Sequence, residues 1–487
     1  MSVLLVLLGC PLLLAMVQVG VGHRRTLATA LNTLGMAVCL LAACDLAIQV
    51  TQHQGHWMVS ETFYLDALNT FLVVLTCLVA TTTALYSGPY MQVEADHGRL
   101  SPWRLRLYHA MYAVFVGMML LALTTNNLGL LWVALEAATL SAVLMVGIYR
   151  TAASLEAAWK YFILGGVGIA QALFGIILIY LAADRLSGEG SQAMLWTHLW
   201  VLRSHLEPTI MAMAFVFTLI GFGTKVGLVP LHSWLPDAHA EGPTPISAVL
   251  SSMLLNVAFY ALLRCKALAD GALHNHLPEH LMLGFGLLSL VVAALRLRTQ
   301  TDVKRLFSYS SIEHMGLITF AFGLSGILVH AAALLHMTLH ALIKSSLFFS
   351  VGHAVQKARS QRIEDIRGLM SVSARAGWGL VVGTLAIAGL PPFGMFRSEF
   401  MILGAAVHQQ LWSIPLLVFA LLVALASLIA RMQDMVWGPE ITVQRLPYRP
   451  HRLPLFIHLG LALWLGISMP SALWSVYQQA VTVTGGD

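Results

Sequence analysis

Long apolar runs, separated by short polar stretches that carry most of the charge, recur along the whole of this sequence. About twenty apolar residues wound as a helix span the ~30 Å hydrocarbon core of a bilayer. Runs of that length lie at 2–21, 27–50, 63–87, 108–124, 128–149, 159–183, 209–230, 245–265, 280–297, 304–322, 327–353, 375–403, 413–437 and 455–477. They predict an all-α polytopic membrane protein of about fourteen transmembrane helices. A shorter segment, 232–241, is expected to run laterally. The first run has no basic stretch ahead of it and reads as a membrane helix rather than a cleavable signal.

Composition excludes the main competing classes. Of 487 residues, 58% are hydrophobic and 10% charged, and the mean hydropathy is +0.79, too apolar for a soluble domain. The net charge is +5, but so apolar a chain leaves no solvated basic face for nucleic acid. Cys10, Cys39, Cys44, Cys77 and Cys265 lie mostly within apolar runs and form no CxxC pair, so they read as small packing residues. No Walker A loop, GxGxxG after a strand or GxSxG elbow occurs. A catalytic redox centre or a cofactor of the chain's own is therefore not expected.

Loop charge sets the orientation. Of the 27 Lys and Arg, nineteen, Arg445 and Arg449 among them, follow odd-numbered runs, and four (Arg185, Arg203, Arg264 and Lys266) follow even-numbered ones. The positive-inside rule makes the odd loops cytoplasmic and puts both termini outside a prokaryotic cytoplasmic (inner) membrane. Lys160, Lys225, Lys344 and Arg397 remain within runs or at their edges, together with Asp45, Asp66, Glu136, Glu313 and Glu399. A charge in hydrocarbon is expensive, and its default reading is functional.

Glu136 sits centrally in its run without a cation of its own, and Lys225 is its natural partner. Such a pair holds both groups charged in a low dielectric, and separating them favours release of the lysine proton. A static packing pair is the bland alternative. His336, His340 and Lys344 are spaced i, i+4, i+8 and share one helix face, a pattern suited to a proton relay. A metal site on His336 and His340 lacks an HExxH pattern and a nearby acidic ligand, so no metal is expected.

Pro230 and the pair Pro391-Pro392 interrupt runs 7 and 12 beside Lys225 and Glu399. Proline breaks the helix there and turns its polar ends inward. Broken helices five runs apart suggest two repeats of five helices, and an odd number of spans inverts the second copy. The divisions expected are 1–107 (helices 1–3), 108–265 (first repeat, helices 4–8), 266–437 (second repeat, helices 9–13) and 438–487 (helix 14). Glu313 and His314 occupy the repeat counterpart of the Glu136 helix and are expected on a pathway. Asp66 reads as interfacial. His232, Asp237 and His239 follow the broken helix as a cytoplasmic entry or a polar hinge. Lys160, four residues after Glu156, reads equally as an interfacial ion pair or a channel residue.

KVGLVPLHSWLPDAHAEGPTPISAVL (225–250), TDVKRLFSYSS (301–311) and GLPPFGMFRSEF (389–400) resemble the proton-translocating antiporter-like family. That family includes membrane subunits of respiratory complex I, Mrp cation/proton antiporters and energy-converting hydrogenases, and the resemblance covers roughly 63–437. It implies fourteen helices, two inverted five-helix repeats and broken helices 7 and 12. It also implies a proton path through Glu136, Lys225, His340, Lys344 and Glu399. SSIEHMG (310–316) and SLEAAWKYFIL (154–164) look most like component F of hydrogenase-4 and formate hydrogenlyase complexes. Asn256 stands where complex I homologues often carry a helix-8 lysine or histidine, and the long lateral helix of the largest such subunit is missing after helix 14. The expected function is a proton (or sodium) translocating subunit of a redox-driven complex. Its partners would be other membrane subunits and a peripheral iron–sulfur or nickel-iron module. Alternatives are an Mrp-type Na⁺/H⁺ antiporter subunit, a partner of a CO₂-hydrating complex, and a membrane anchor that no longer pumps.

Overall fold

Polar residues at the ends of the apolar runs fix where the helices begin. The structure, a computed structural model, describes residues 2–53, 55–187, 192–438 and 452–484. Arg445 and Arg449 lie outside the described residues, as does the side chain of Arg185. Helices α1 (Ser2–Val21) and α2 (Arg25–Gln52) are followed by a hairpin of β1 (His56–Met58) and β2 (Tyr64–Asp66). Then come α3 (Ala67–Asp96), α4 (Pro102–Thr124), α5 (Leu128–Val146), α6 (Ala152–Ser187) and the short α7 (Trp196–Leu202). Asp66 caps α3 in a reciprocal box with Asn69, Ser101 and Pro102 open α4, and Asn127 caps α5. Glu207 caps α8 (Pro208–Val226). Hydrogen bonds from the backbone of Ile210 and Thr209 hold its carboxyl below the usual range.

The remaining helices are α9 (Trp234–Glu241), α10 (Thr244–Val249), a π-helical turn (Leu250–Leu254) leading into α11 (Leu255–Ala272), α12 (Leu277–Leu297), α13 (Val303–Phe322) and α14 (Ile327–Ala358). They are followed by α15 (Leu369–Ile387), α16 (Gly394–Gln409), α17 (Ile414–Trp437), α18 (Leu453–Ile467) and α19 (Ser471–Val481). Among the described residues twelve helices are long and apolar enough to cross a membrane, and α18 with α19 makes thirteen if that bent pair is one span. Fourteen were expected. Helix α13 falls short in apolarity, not length, because Lys304, Arg305, three serines, Glu313 and His314 dilute its run. The last expected span bends by 84° between α18 and α19, where Pro470 cannot continue the helical hydrogen bonding. The lateral segment 232–241 is realised as α9.

The segment α10–α11 is wholly inside the bundle, and α14 runs beside it against α3, α13, α15, α16, α18 and α19. Helices α1, α2, α6 and α17 leave large apolar faces on the outside, as lipid contact requires. Helices α6 and α8 meet backbone to backbone. Gly168 and Gly175 of α6 face Thr224 and Thr218 of α8, and Gly221 of α8 faces Ala172 of α6. Small residues at such a seam let van der Waals packing hold membrane helices together. Gly221→Val is expected to force the seam open at a cost of about 1–3 kcal/mol or more. A fall in the melting temperature of the purified protein measures it.

Three assignments from the sequence are corrected. Arg264 and Lys266, taken as loop charges, lie buried on α11. Arg264 pairs with Asp66 at 2.7 Å, both side chains almost wholly buried, so Asp66 is a core residue and not an interfacial one. Lys304, taken as a loop charge, is buried and donates to the carbonyls of Ala240 (2.9 Å) and Gly242 (2.6 Å) at the end of α9. In each case the charge stands at the end of an apolar run but on a helix that packs inside the bundle, where a partner is at hand. Asp45, by contrast, is exposed and is bonded by Gln49 one turn on.

Candidate functional site

Helix α8 ends one residue after Lys225. Gly227 takes a left-handed conformation (φ 84°) that closes the last turn, and the indole N–H of Trp234 donates to the carbonyl of Thr224 at 2.8 Å. Pro230 lies in the run of turns that follows, between α8 and α9. Lys225 therefore projects from a helix C-terminus, where a cation is favoured. Its ammonium, wholly buried, donates to Glu136 Oε2 at 3.2 Å and to Thr139 Oγ1 at 2.7 Å. The Tyr161 ring lies 5.9 Å from the ammonium and stacks on Trp234 at 4.3 Å. Gly165 makes room for the head group, since a Cβ there would come within 3.2 Å of Nζ. The Glu136 side chain remains 20% exposed, towards the outer face of α5.

The structure thus brings together the pair expected from the sequence and adds Thr139. That hydroxyl lies one helical turn beyond Glu136, and nothing in the sequence singled it out.

A second cluster centres on α14. His336, His340 and Lys344 are wholly buried and turn towards α13. His336 Nε2 meets His314 Nδ1 at 3.1 Å and its Nδ1 meets Ser398 Oγ of α16 at 2.9 Å, while the His340 ring lies 5.8 Å from that of His314. Lys344 donates to the backbone carbonyl of Phe307 at 2.8 Å. Glu313 forms no salt bridge among the described residues, and its Oε2 has no hydrogen-bond partner there. The two clusters therefore differ: Lys225 is held by a carboxylate, Lys344 by a carbonyl.

Pro391 and Pro392 occupy the break between α15 and α16. Glu399, on the second turn of α16, packs against Gly389, which takes φ 67° and has no side chain to displace it. Glu313, His314 and Glu399 line a cavity of about 190 Å³ between this break and α17. Donor atoms of His314, His336 and Glu399 all lie within 4.8 Å of one another. Two imidazoles and a carboxylate are a donor set that can hold a divalent ion. The sequence weighed His336 with His340 for such a role and did not find this set.

The lateral segment links the clusters. His239 is buried and stacks on Phe348 at 5.2 Å, one turn from Lys344. Asn256 donates to the carbonyl of Met337 on α14 at 3.3 Å. His232 is half-buried against Tyr309, with ring centroids 6.1 Å apart. Asp237 is bridged by Lys160 (3.0 Å) and Arg305 (2.8 Å), and Lys160 also pairs with Glu156 at 2.6 Å. That half-exposed cluster lies apart from the Lys225 ammonium, and Arg397 is exposed. Both ring nitrogens of His239 and of His340, Nε2 of His314 and Oδ1 of Asn256 are buried without a partner among the described residues. Buried polar atoms of this kind are normally satisfied by ordered water.

A bundle of apolar helices enclosing an intramembrane ion pair and a file of buried imidazoles defines an antiporter-like membrane subunit. The chain belongs to the NADH:quinone oxidoreductase/Mrp antiporter transmembrane family, whose model matches residues 125–425. It is 50% identical over 416 residues to a hydrogenase-4 component F homolog of Methylacidiphilum infernorum, covering 85% of this chain and 87% of that protein. Subunit N of the NADH-quinone oxidoreductase of Desulforudis audaxviator is 28% identical, over 70% of this chain and 66% of its own length. Among solved structures, a chain of an archaeal membrane-bound sulfane sulfur reductase superposes with a TM-score of 0.89 at 24% identity, over 100% of this chain and 98% of its own. A chain of the Mrp complex from Dietzia sp. does so with 0.85 at 18%, over 99% and 97%. These solved neighbours are members of multisubunit membrane complexes.

Proposed function

We propose that this chain carries protons across a prokaryotic cytoplasmic membrane, as one subunit of a redox-driven complex of the hydrogenase-4 or NADH dehydrogenase type. The observation that carries the reading is the Lys225–Glu136 pair, set at a broken helix in the same fold as a second buried lysine and its imidazole file. In this reading α4–α11 and α12–α17 form two inverted halves. A charge shift in a neighbouring subunit weakens the hold of Glu136, and Lys225 passes its proton through water. Lys344, His340, His314 and His336 conduct it to Glu399, which releases it on the side that holds both termini. Proton transfer needs donor and acceptor atoms within hydrogen-bond reach, directly or through one water. His314, His336 and Ser398 meet that condition directly.

The family resemblance extends the reading to partners: neighbouring membrane subunits and a peripheral iron–sulfur or nickel-iron module. Glu136→Gln keeps the shape of the side chain and removes its charge. In inverted vesicles carrying the assembled complex it is expected to lower redox-driven proton uptake about tenfold or more. Unchanged uptake would make the pair a packing feature. Uptake that persists for sodium alone would move the reading to sodium transport.

A further inference from the structure

A cavity of about 560 Å³ opens between α4, α5 and the start of α6, and its lining includes no residue of the two buried clusters. Leu107, Leu140, Leu144, Leu155 and Phe162 give it apolar walls, and Arg104 and Arg150 stand at its rim. All the charge lies at one end, because Arg104 is in the first turn of α4 and Arg150 joins α5 to α6. Exposed tryptophans mark the same level: Trp103 beside Arg104, and Trp159 in the second turn of α6. Tryptophans of this kind sit at the bilayer–water interface.

The arginines are not committed elsewhere. Arg104 donates through Nη1 to the carbonyls of Arg99 (3.4 Å) and Tyr149 (3.3 Å), which leaves its other donors free to face the rim. Arg150 is exposed, held by a left-handed backbone (φ 56°) at the turn. Neither guanidinium makes a salt bridge among the described residues. Two unpaired guanidiniums present a forked array of donors matched to phosphate oxygens.

We propose that this cavity holds one anionic phospholipid, its phosphate between Arg104 and Arg150 and an acyl chain along Leu140, Leu144 and Phe162. An apolar slot facing the bilayer and a basic rim at interface depth are the two halves of such a molecule, and basic pockets between transmembrane helices bind anionic head groups. A zwitterionic lipid offers the same chain without the net charge. The lipid would brace the junction of α5 and α6, and so the outer wall of the Glu136 site, without taking part in proton transfer.

The test uses the delipidated complex in detergent, titrated with palmitoyl-oleoyl phosphatidylglycerol and with the phosphatidylcholine of the same chains, bound lipid being read by native mass spectrometry. The expected result is a preference of about tenfold or more for phosphatidylglycerol. Arg104→Gln/Arg150→Gln should erase it. Leu144→Trp, which fills the slot and leaves both arginines, should weaken both lipids. A phosphatidylglycerol with a diazirine on its acyl chain should label residues 140–162 of the unmodified chain, a result that stands even where a variant fails to assemble. Equal binding of the two lipids, or labelling confined elsewhere, overturns the proposal. So does a photoreactive residue at position 144 that captures a neighbouring subunit in place of lipid.

Discussion

Lys225→Met is expected to abolish redox-driven proton translocation while the subunit still folds and assembles. Methionine follows the path of the lysine stem among Tyr161, Gly165 and Thr139 but carries no proton. Removing one partner of a fully buried pair typically costs about 3–5 kcal/mol, because the other charge is left uncompensated. Translocation and electron-transfer turnover, measured side by side in vesicles, decide the matter. Loss of uptake, with turnover slowed or uncoupled, makes the lysine a working carrier. Full uptake would remove Lys225 from the path, leaving its burial a matter of packing. Glu136→Gln combined with Lys225→Met serves as a control, for it relieves the unpaired charge and should restore stability but not transport.

The second large effect concerns stability rather than transport. Arg264 lies within the bundle, 2.7 Å from Asp66, with its guanidinium 4.3 Å from the Trp196 ring and 4.9 Å from that of Tyr260. Asp66 also caps α3 by accepting the Asn69 N–H at 2.9 Å. Asp66→Asn preserves a capping oxygen and removes the charge, so it isolates the ion pair from the cap. The stranded guanidinium should cost about 3–5 kcal/mol, enough to deplete the assembled protein in the membrane. Adding Arg264→Met to Asp66→Asn should recover much of that loss, because an uncharged side chain of similar length can use the same aromatic slot. Melting temperatures of the single and double variants, compared as a cycle, give the coupling directly. Additive effects would show that the pair contributes no more than its separate parts.

The sequence made most of the helix set legible because burial in lipid enforces one rule, about twenty apolar residues per crossing. The same rule explains the misses. It reads average apolarity, so Arg264 and Lys266 at the end of their run were assigned to a loop, and α13 was marked as a span although its polar residues dilute it. Both helices are enclosed by protein, where a polar residue can find a partner that lipid could not offer. The Lys225–Glu136 pair was legible because each member stood alone in its own apolar run. Thr139, Ser398 and Lys304 were not, since a hydroxyl in a helix or a lysine at a loop edge has a bland explanation in any sequence. Their roles depend on which helix lies opposite, and that is a property of packing. The His314 contact with His336 belongs to the same group: the histidines of α14 were visible as a face, but not what the face meets.

Backbone contact between α6 and α8 has a mechanical consequence. With glycine at 168, 175 and 221, the two helices touch through no more than Thr224, Thr218 and Ala172, and little that is soft lies between them to be compressed. Tilting α8 against α6 would meet hard contact at once. In the proposed cycle the least costly travel open to the Lys225 ammonium is therefore a swing about the torsions of its four methylene groups, which needs no domain movement. The reach of such a stroke is set by covalent geometry.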